Sequence, residues 1–205
     1  MNYLAHFLLA ENNEQWRLGV LLGDVVKGRL DEQTWPALVC DGIQHHRAVD
    51  RWTDSHELVD TARELAPKPL RRYMGIVFDL MLDAWLSRHW QDWHDRPLAQ
   101  FSADLYALMN RHHPQLPARL QRFSRYAQEY QVLSRYHEDA VMDRVLAGVA
   151  SRLSRPGPLS DARRLLAPNQ KQLDACFARF WPQAVHWSGQ WVAELQATNK
   201  ARAHR

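Results

Sequence analysis

The chain has 205 residues, of which 46% are hydrophobic and 24% charged. That balance excludes a disordered, collagen-like or coiled-coil chain and fits one domain, 1–205, with its own core. Twenty-six basic against 23 acidic residues leave a formal charge of +3, too slight an excess to mark a nucleic-acid binder. No stretch nears the roughly 18 uninterrupted apolar residues of a membrane span; the densest run, residues 18–26, is broken by Asp24. Residues 1–10 carry neither a basic leader nor a long apolar core, so they do not read as a signal peptide, and the cytoplasm is the expected location. Cys40 and Cys176 lie far apart without metal-type spacing and are expected to be thiols.

Only 8 glycines and 10 prolines punctuate the chain, and between them apolar residues recur at three and four positions, as in Leu98, Phe101, Leu105 and Leu108. The spacing predicts an all-α, single-domain helical bundle with helices over 2–10, 14–28, 34–56, 69–94, 97–111, 117–130, 133–153 and 169–197. Pro36, behind a capping region at Asp31 to Thr34, and Pro97 suit helix starts, where a missing N–H costs nothing. Residues 155–169 are expected to form an irregular crossover. Trp85, Trp90 and Trp93, with Trp181, Trp187 and Trp191, form stripes expected in the core and groove walls.

Acids and histidines fall where a core should be. His6 lies within Tyr3-Leu4-Ala5-His6-Phe7-Leu8, and Asp24 within Leu21-Leu22-Gly23-Asp24-Val25-Val26. Inside such helices neither side chain turns easily to water, so each needs a partner. His46, Asp50 and Asp54 follow at intervals of four, and each step of four turns only about 40°, so the three share one face. Arg47 and Arg51 on an exposed polar face are the plainer alternative. Asp79 and Asp83 repeat the interval in strongly apolar surroundings, where two carboxylates repel unless a cation holds them. His89 falls about 80° and 120° from those two acids and suits substrate contact or structure better than the same ion. Helical bundles build metal sites from such inward-facing side chains. Imidazoles and carboxylates suit Mn²⁺, Mg²⁺ or Fe²⁺, whereas structural zinc would call for thiolates. Basic residues group at Lys68, Arg71 and Arg72, at Arg111, Arg119, Arg122 and Arg125, and at Lys200, Arg202 and Arg205.

The ordered motifs Met1-Asn2-Tyr3-Leu4-Ala5-His6, Gly23-Asp24-Val25-Val26-Lys27-Gly28, Gly42-Ile43 with His46-Arg47, Asp50 and Thr53-Asp54, and Leu86-Ser87-Arg88-His89-Trp90 resemble the acyl carrier protein phosphodiesterase family over nearly the whole chain. The resemblance implies a mostly helical protein, distantly similar to HD-type metal-dependent phosphohydrolases. The implied reaction is hydrolysis of the phosphodiester joining 4′-phosphopantetheine to a serine of holo acyl carrier protein. It implies a metal set of His6, Asp24, His46, Asp50, Asp79 and Asp83, with Mn²⁺ foremost, and catalytic roles for Asp24, His46, Asp50 and Asp79. Lys27, Arg47 and His89 would serve the phosphate, and the groups at Lys68, Arg71 and Arg72 and at Arg119, Arg122 and Arg125 would dock the acidic carrier protein. Ala84 stands where that family often has a histidine, and His45 competes with its neighbour His46. Two other readings use the same residues: hydrolysis of a small nucleotide or phosphodiester, and a noncatalytic helical module for an acidic partner.

Overall fold

The computed structural model describes residues 1–30 and 34–203. Eleven α-helices and no strand occur among them. They are α1 (Tyr3–Leu9), α2 (Glu14–Gly23), α3 (Ala37–Asp54), α4 (Glu57–Leu65), α5 (Met74–Arg88), α6 (Leu98–His112), α7 (Ala118–Glu129), α8 (Val132–Arg135), α9 (Asp139–Ala150), α10 (Ala162–Leu166) and α11 (Gln170–Ala203). One continuous apolar core joins them, with Leu4, Phe7, Trp16, Phe78, Leu146 and Phe180 almost fully enclosed. None is long and apolar enough to cross a membrane. No disulfide joins the buried Cys40 and Cys176.

Helix ends explain most departures from the expected segments. Helix α2 stops at Gly23 rather than continuing to 28. A short helix expected nowhere, α4, follows α3 after a break at Ser55 and His56, and His56 Nδ1 accepts the N–H of Leu58 at 3.2 Å. Its apolar face, Leu58, Val59 and Ala62, is buried. The segment expected over 133–153 divides into α8 and α9 around Tyr136 to Glu138, and Gln131, at φ 51°, turns the chain out of α7. Most of the expected crossover at 155–169 is ordered as two 3₁₀ turns flanking α10. Pro36 and Pro97 each sit one position before their helix, and their carbonyls accept the N–H groups of Val39 and Cys40 and of Gln100 and Phe101. Asp31 and Arg205 lie outside the described residues.

Two contacts set the frame around the site. Helices α2 and α3 cross with their backbones touching: a Cβ on Gly42 would stand 2.1 Å from Trp16 O, and one on Gly19 2.2 Å from Val39 O. On the other side α11 runs along α3. His45 there accepts from Trp16 Nε1 at 3.2 Å, meets Ser188 Oγ at 2.7 Å and stacks on Trp191. Further along, Asn199 donates to Asp41. Trp52 and Trp187 stack across the bundle and Trp181 is wholly buried, as the aromatic stripes predict.

Candidate active site

Three helices bring four groups to one point. From α3, Asp50 Oδ1 lies 2.9 Å from the Met1 α-amino nitrogen and 3.0 Å from His6 Nε2, while Oδ2 lies 3.2 Å from His46 Nε2. The His6 and His46 rings, from α1 and α3, stack at 3.8 Å and within 8° of parallel. From α5, Asp79 Oδ1 approaches the same Met1 nitrogen at 3.3 Å. A buried ammonium therefore sits between two carboxylates.

The electrostatics follow from that crowding. Burial works against the Met1 charge, but Asp79 and Asp50 outweigh it and raise its pKa to about 10. Burial pushes the Asp79 carboxyl up to about 6, against the pull of the Met1 ammonium. For Asp50, burial is overcome by hydrogen bonds from His46 and His6, which hold its carboxyl well below the usual carboxylate range. Burial and the neighbouring His46 drive His6 well below its ordinary value, so it is a neutral imidazole at neutral pH, the form that ligates metals.

These residues fit a cation. Ligand atoms of His6, His46 and Asp50 lie within 4.8 Å of one another, roughly twice a metal–ligand bond of about 2.0–2.2 Å. The Met1 ammonium is a stand-in already resting between Asp50 and Asp79. The buried Nδ1 of His46 has no hydrogen-bond partner, so the ring is aimed by packing and by its Nε2 contact with Asp50. Part of that packing is Gly23, where a Cβ would stand 2.5 Å from His46 Cβ and Cγ.

The other residues singled out in the sequence are placed elsewhere. Asp24 is at the end of α2, not inside a helix, and is about one-third exposed. Its Oδ2 accepts from Tyr3 OH at 3.0 Å and pairs with Arg119 at 3.0 Å. Arg47 donates to the carbonyls of Val26 and Gly28 and so pins the loop that carries the exposed Lys27. Asp54 is exposed at the end of α3. His89 lies ten residues beyond Asp79, about 15 Å along α5, stacked on Trp85 and paired with Asp92. Of the basic groups, Arg71 binds the carbonyls of Ala66 and Glu64, Arg72 lies over Tyr73, and Arg111 grips Glu14 with two bonds.

Asp83 faces the N-terminus of α1. Its Oδ2 accepts the N–H of Leu4 and its Oδ1 that of Ala5, both at 2.9 Å, and Asn2 Nδ2 donates to Oδ2 at 2.9 Å and to Tyr136 OH at 2.8 Å. A carboxylate from α5 thus satisfies the first amides of α1, which Asn2, at its own cap position, does not. Burial, opposed by those two amides, raises this carboxyl from 3.8 to about 7. The native state therefore holds a proton that the unfolded chain releases between about pH 4 and 7, and stability falls as pH rises through that window. The stability of Asp83→Asn relative to wild type is expected to improve across the same window in urea unfolding. Asp83→Ala, which strands two buried amides, is expected to lose about 3 kcal/mol. Equal pH slopes for wild type and Asp83→Asn would remove Asp83 as the titrating group.

A cleft of about 790 Å³ opens from Met1 and Asp79 and passes between α7 and α9. Tyr3, Phe123, Tyr126 and Val145 wall it, Tyr3 and Phe123 stacking at 4.1 Å. Arg119, Arg122 and Arg152 rim it. Among the described residues Arg122 and Arg152 form no ion pair. Asn2, Gly23, Tyr136 and Arg152 are site residues that reasoning from spacing missed. Asn2 and Gly23 stand in motifs of the family resemblance, whereas Arg152 carries no local signal.

Imidazoles and carboxylates gathered beside Asp79, which itself lines a basic-rimmed cleft, fit a helical hydrolase of anionic esters. The family profile described as acyl carrier protein phosphodiesterase matches residues 1–184, and the chain belongs to that family. It is 36% identical over 186 residues to the acyl carrier protein phosphodiesterase of Klebsiella pneumoniae (strain 342), covering 90% of this chain and 96% of the relative. The protein of the same name from Serratia proteamaculans (strain 568) gives the same identity and coverage. That of Enterobacter sp. (strain 638) is 35% identical over 201 residues, 98% of this chain and 99% of its own. No solved structure gives a significant match.

Proposed function

We propose that this protein hydrolyses the phosphodiester between 4′-phosphopantetheine and the serine of holo acyl carrier protein, releasing apo carrier protein and 4′-phosphopantetheine. The observation that carries the reading is the cluster of His6, His46 and Asp50, joined through the Met1 ammonium to Asp79, which lines a cleft rimmed by arginines. His6, His46 and Asp50 are the residues that would hold a divalent ion, with Mn²⁺ foremost and Mg²⁺ or Fe²⁺ as alternatives. Bound there, such an ion would lower the pKa of water and polarise phosphoryl oxygens.

The chain's own groups do the rest. Asp79, shared by the cluster and the cleft, handles the proton that passes from the attacking water towards the serine oxygen. Arg119, oriented by Asp24, and Arg122 neutralise the phosphate's charge. Arg122 and Arg152 offer open positive charge to an acidic protein, which makes association fall with salt. Buried cysteines left as thiols suit a reducing compartment, and we read the protein as cytoplasmic.

Intact mass spectrometry of holo acyl carrier protein incubated with the enzyme tests this directly. Loss of the phosphopantetheine mass is expected with Mn²⁺ and not with a chelator. No loss with folded, Mn²⁺-loaded protein would move the assignment to a small phosphodiester.

A further inference from the structure

The reaction accounts for the Asp79 end of the cleft but not for its size. Its volume of about 790 Å³ lies within the roughly 300–1,000 Å³ of small-molecule sites and far exceeds what a phosphate alone would fill. The lining is mixed in character. Ile76, Val132 and Val145 present apolar surface, while Tyr126 and Tyr136 bring phenols to the same walls. Alternating apolar and hydroxyl surface suits a flexible chain of methylenes and amides better than a bare hydrocarbon or a flat base.

Gly148 stands exposed in the last turn of α9 on this wall. Its φ is not positive and it precedes the C-cap Ser151, so it does not serve as a helix-ending glycine, and elsewhere in a helix glycine is weaker than alanine. A Cβ built there meets nothing within 4 Å, so a side chain added at this position extends into open space without clashing with the fold.

We propose that the part of the cleft between α7 and α9 is the seat of the pantetheine arm and that Gly148 keeps it open. The carrier protein then stays outside, against Arg122 and Arg152, with the phosphodiester at the Asp79 end. This rests on the phosphodiesterase reading and adds the direction in which the substrate lies.

The test uses the full chain with Gly148→Leu and Gly148→Trp, each checked for an unchanged helical spectrum and Mn²⁺ affinity. Pantetheine, which lacks the phosphate, is the binding probe by titration calorimetry, and holo acyl carrier protein is the substrate. Pantetheine is expected to bind wild type. Gly148→Leu is expected to weaken binding several-fold and Gly148→Trp at least tenfold, with parallel increases in KM for the carrier protein and a smaller change in kcat. Failure of wild type to bind pantetheine, or wild-type binding and KM in Gly148→Trp, would overturn the proposal. If wild type releases the arm and Gly148→Trp does so equally well, the cleft assignment fails and the activity stands. Graded loss of pantetheine binding in a protein that releases no arm would sustain the cleft and overturn the activity.

Discussion

Asp50→Asn is expected to lower the release of 4′-phosphopantetheine from holo acyl carrier protein by at least about 10²-fold, since even residues that only orient metal ligands cost roughly 10–100-fold when mutated. The reason is connectivity. One carboxylate meets the Met1 ammonium and both imidazoles, at 2.9, 3.0 and 3.2 Å. Asparagine keeps the shape but replaces one oxygen with an N–H₂ donor, which then faces a donor. Mn²⁺ affinity, read by calorimetry, should fall with the rate. Although the Asp50 side chain is 41% exposed, its Met1 partner is fully buried, so loss of one of the ammonium's two carboxylates should also lower the melting temperature. A variant that keeps its fold and turns over within a few-fold of wild type would remove Asp50 from the site.

Gly23→Ala is expected to cost about 10²-fold in rate, the price of misplacing a catalytic group by roughly 1 Å. The added Cβ would stand 2.5 Å from His46 Cβ and Cγ and 2.8 Å from Cδ2, against the roughly 3.5–4.0 Å of ordinary carbon contacts. Either α2 moves or the imidazole does. Overpacking of this kind also destabilises by about 1–3 kcal/mol, each kcal/mol lowering the melting temperature of a chain this size by roughly 2–4 °C. A rate loss that far exceeds the loss of folded protein, with weakened Mn²⁺ binding, is the expected signature. Unchanged turnover would mean the ring has room to spare.

Much of the fold was legible because apolar spacing is local. Leu98, Phe101, Leu105 and Leu108 announce α6, which forms within a residue of its expected bounds. Breaks were harder. The expected 133–153 helix hides a turn at Tyr136 to Glu138, where Arg135 grips Glu138 rather than continuing a helix. Helix α4 was missed although Leu58, Val59 and Ala62 carry the right spacing, because only a cap at His56 separates it from α3.

At the site, spacing placed His46 and Asp50 on one face, and the structure brings them together. The same interval linked Asp79 and Asp83, but one turn of α5 carries Asp83 past the cluster to the first amides of α1. Nothing local encodes that meeting of residues nearly 80 positions apart. Adjacent histidines divide similarly. His46 faces Asp50, while His45 turns to Trp16 and α11, where burial and His46 lower its pKa to about 4.

The site's two histidines therefore stand on mounts of unequal firmness. His46 rides on α3, which is pressed backbone to backbone against α2 and splinted by Ser188, Trp191 and Asn199 of α11. His6 rides on α1, seven residues long, whose first amides depend on Asp83. Local opening takes the route of least cooperative support. The pocket should thus breathe by release of α1, with α3 remaining as the fixed jaw against which it closes.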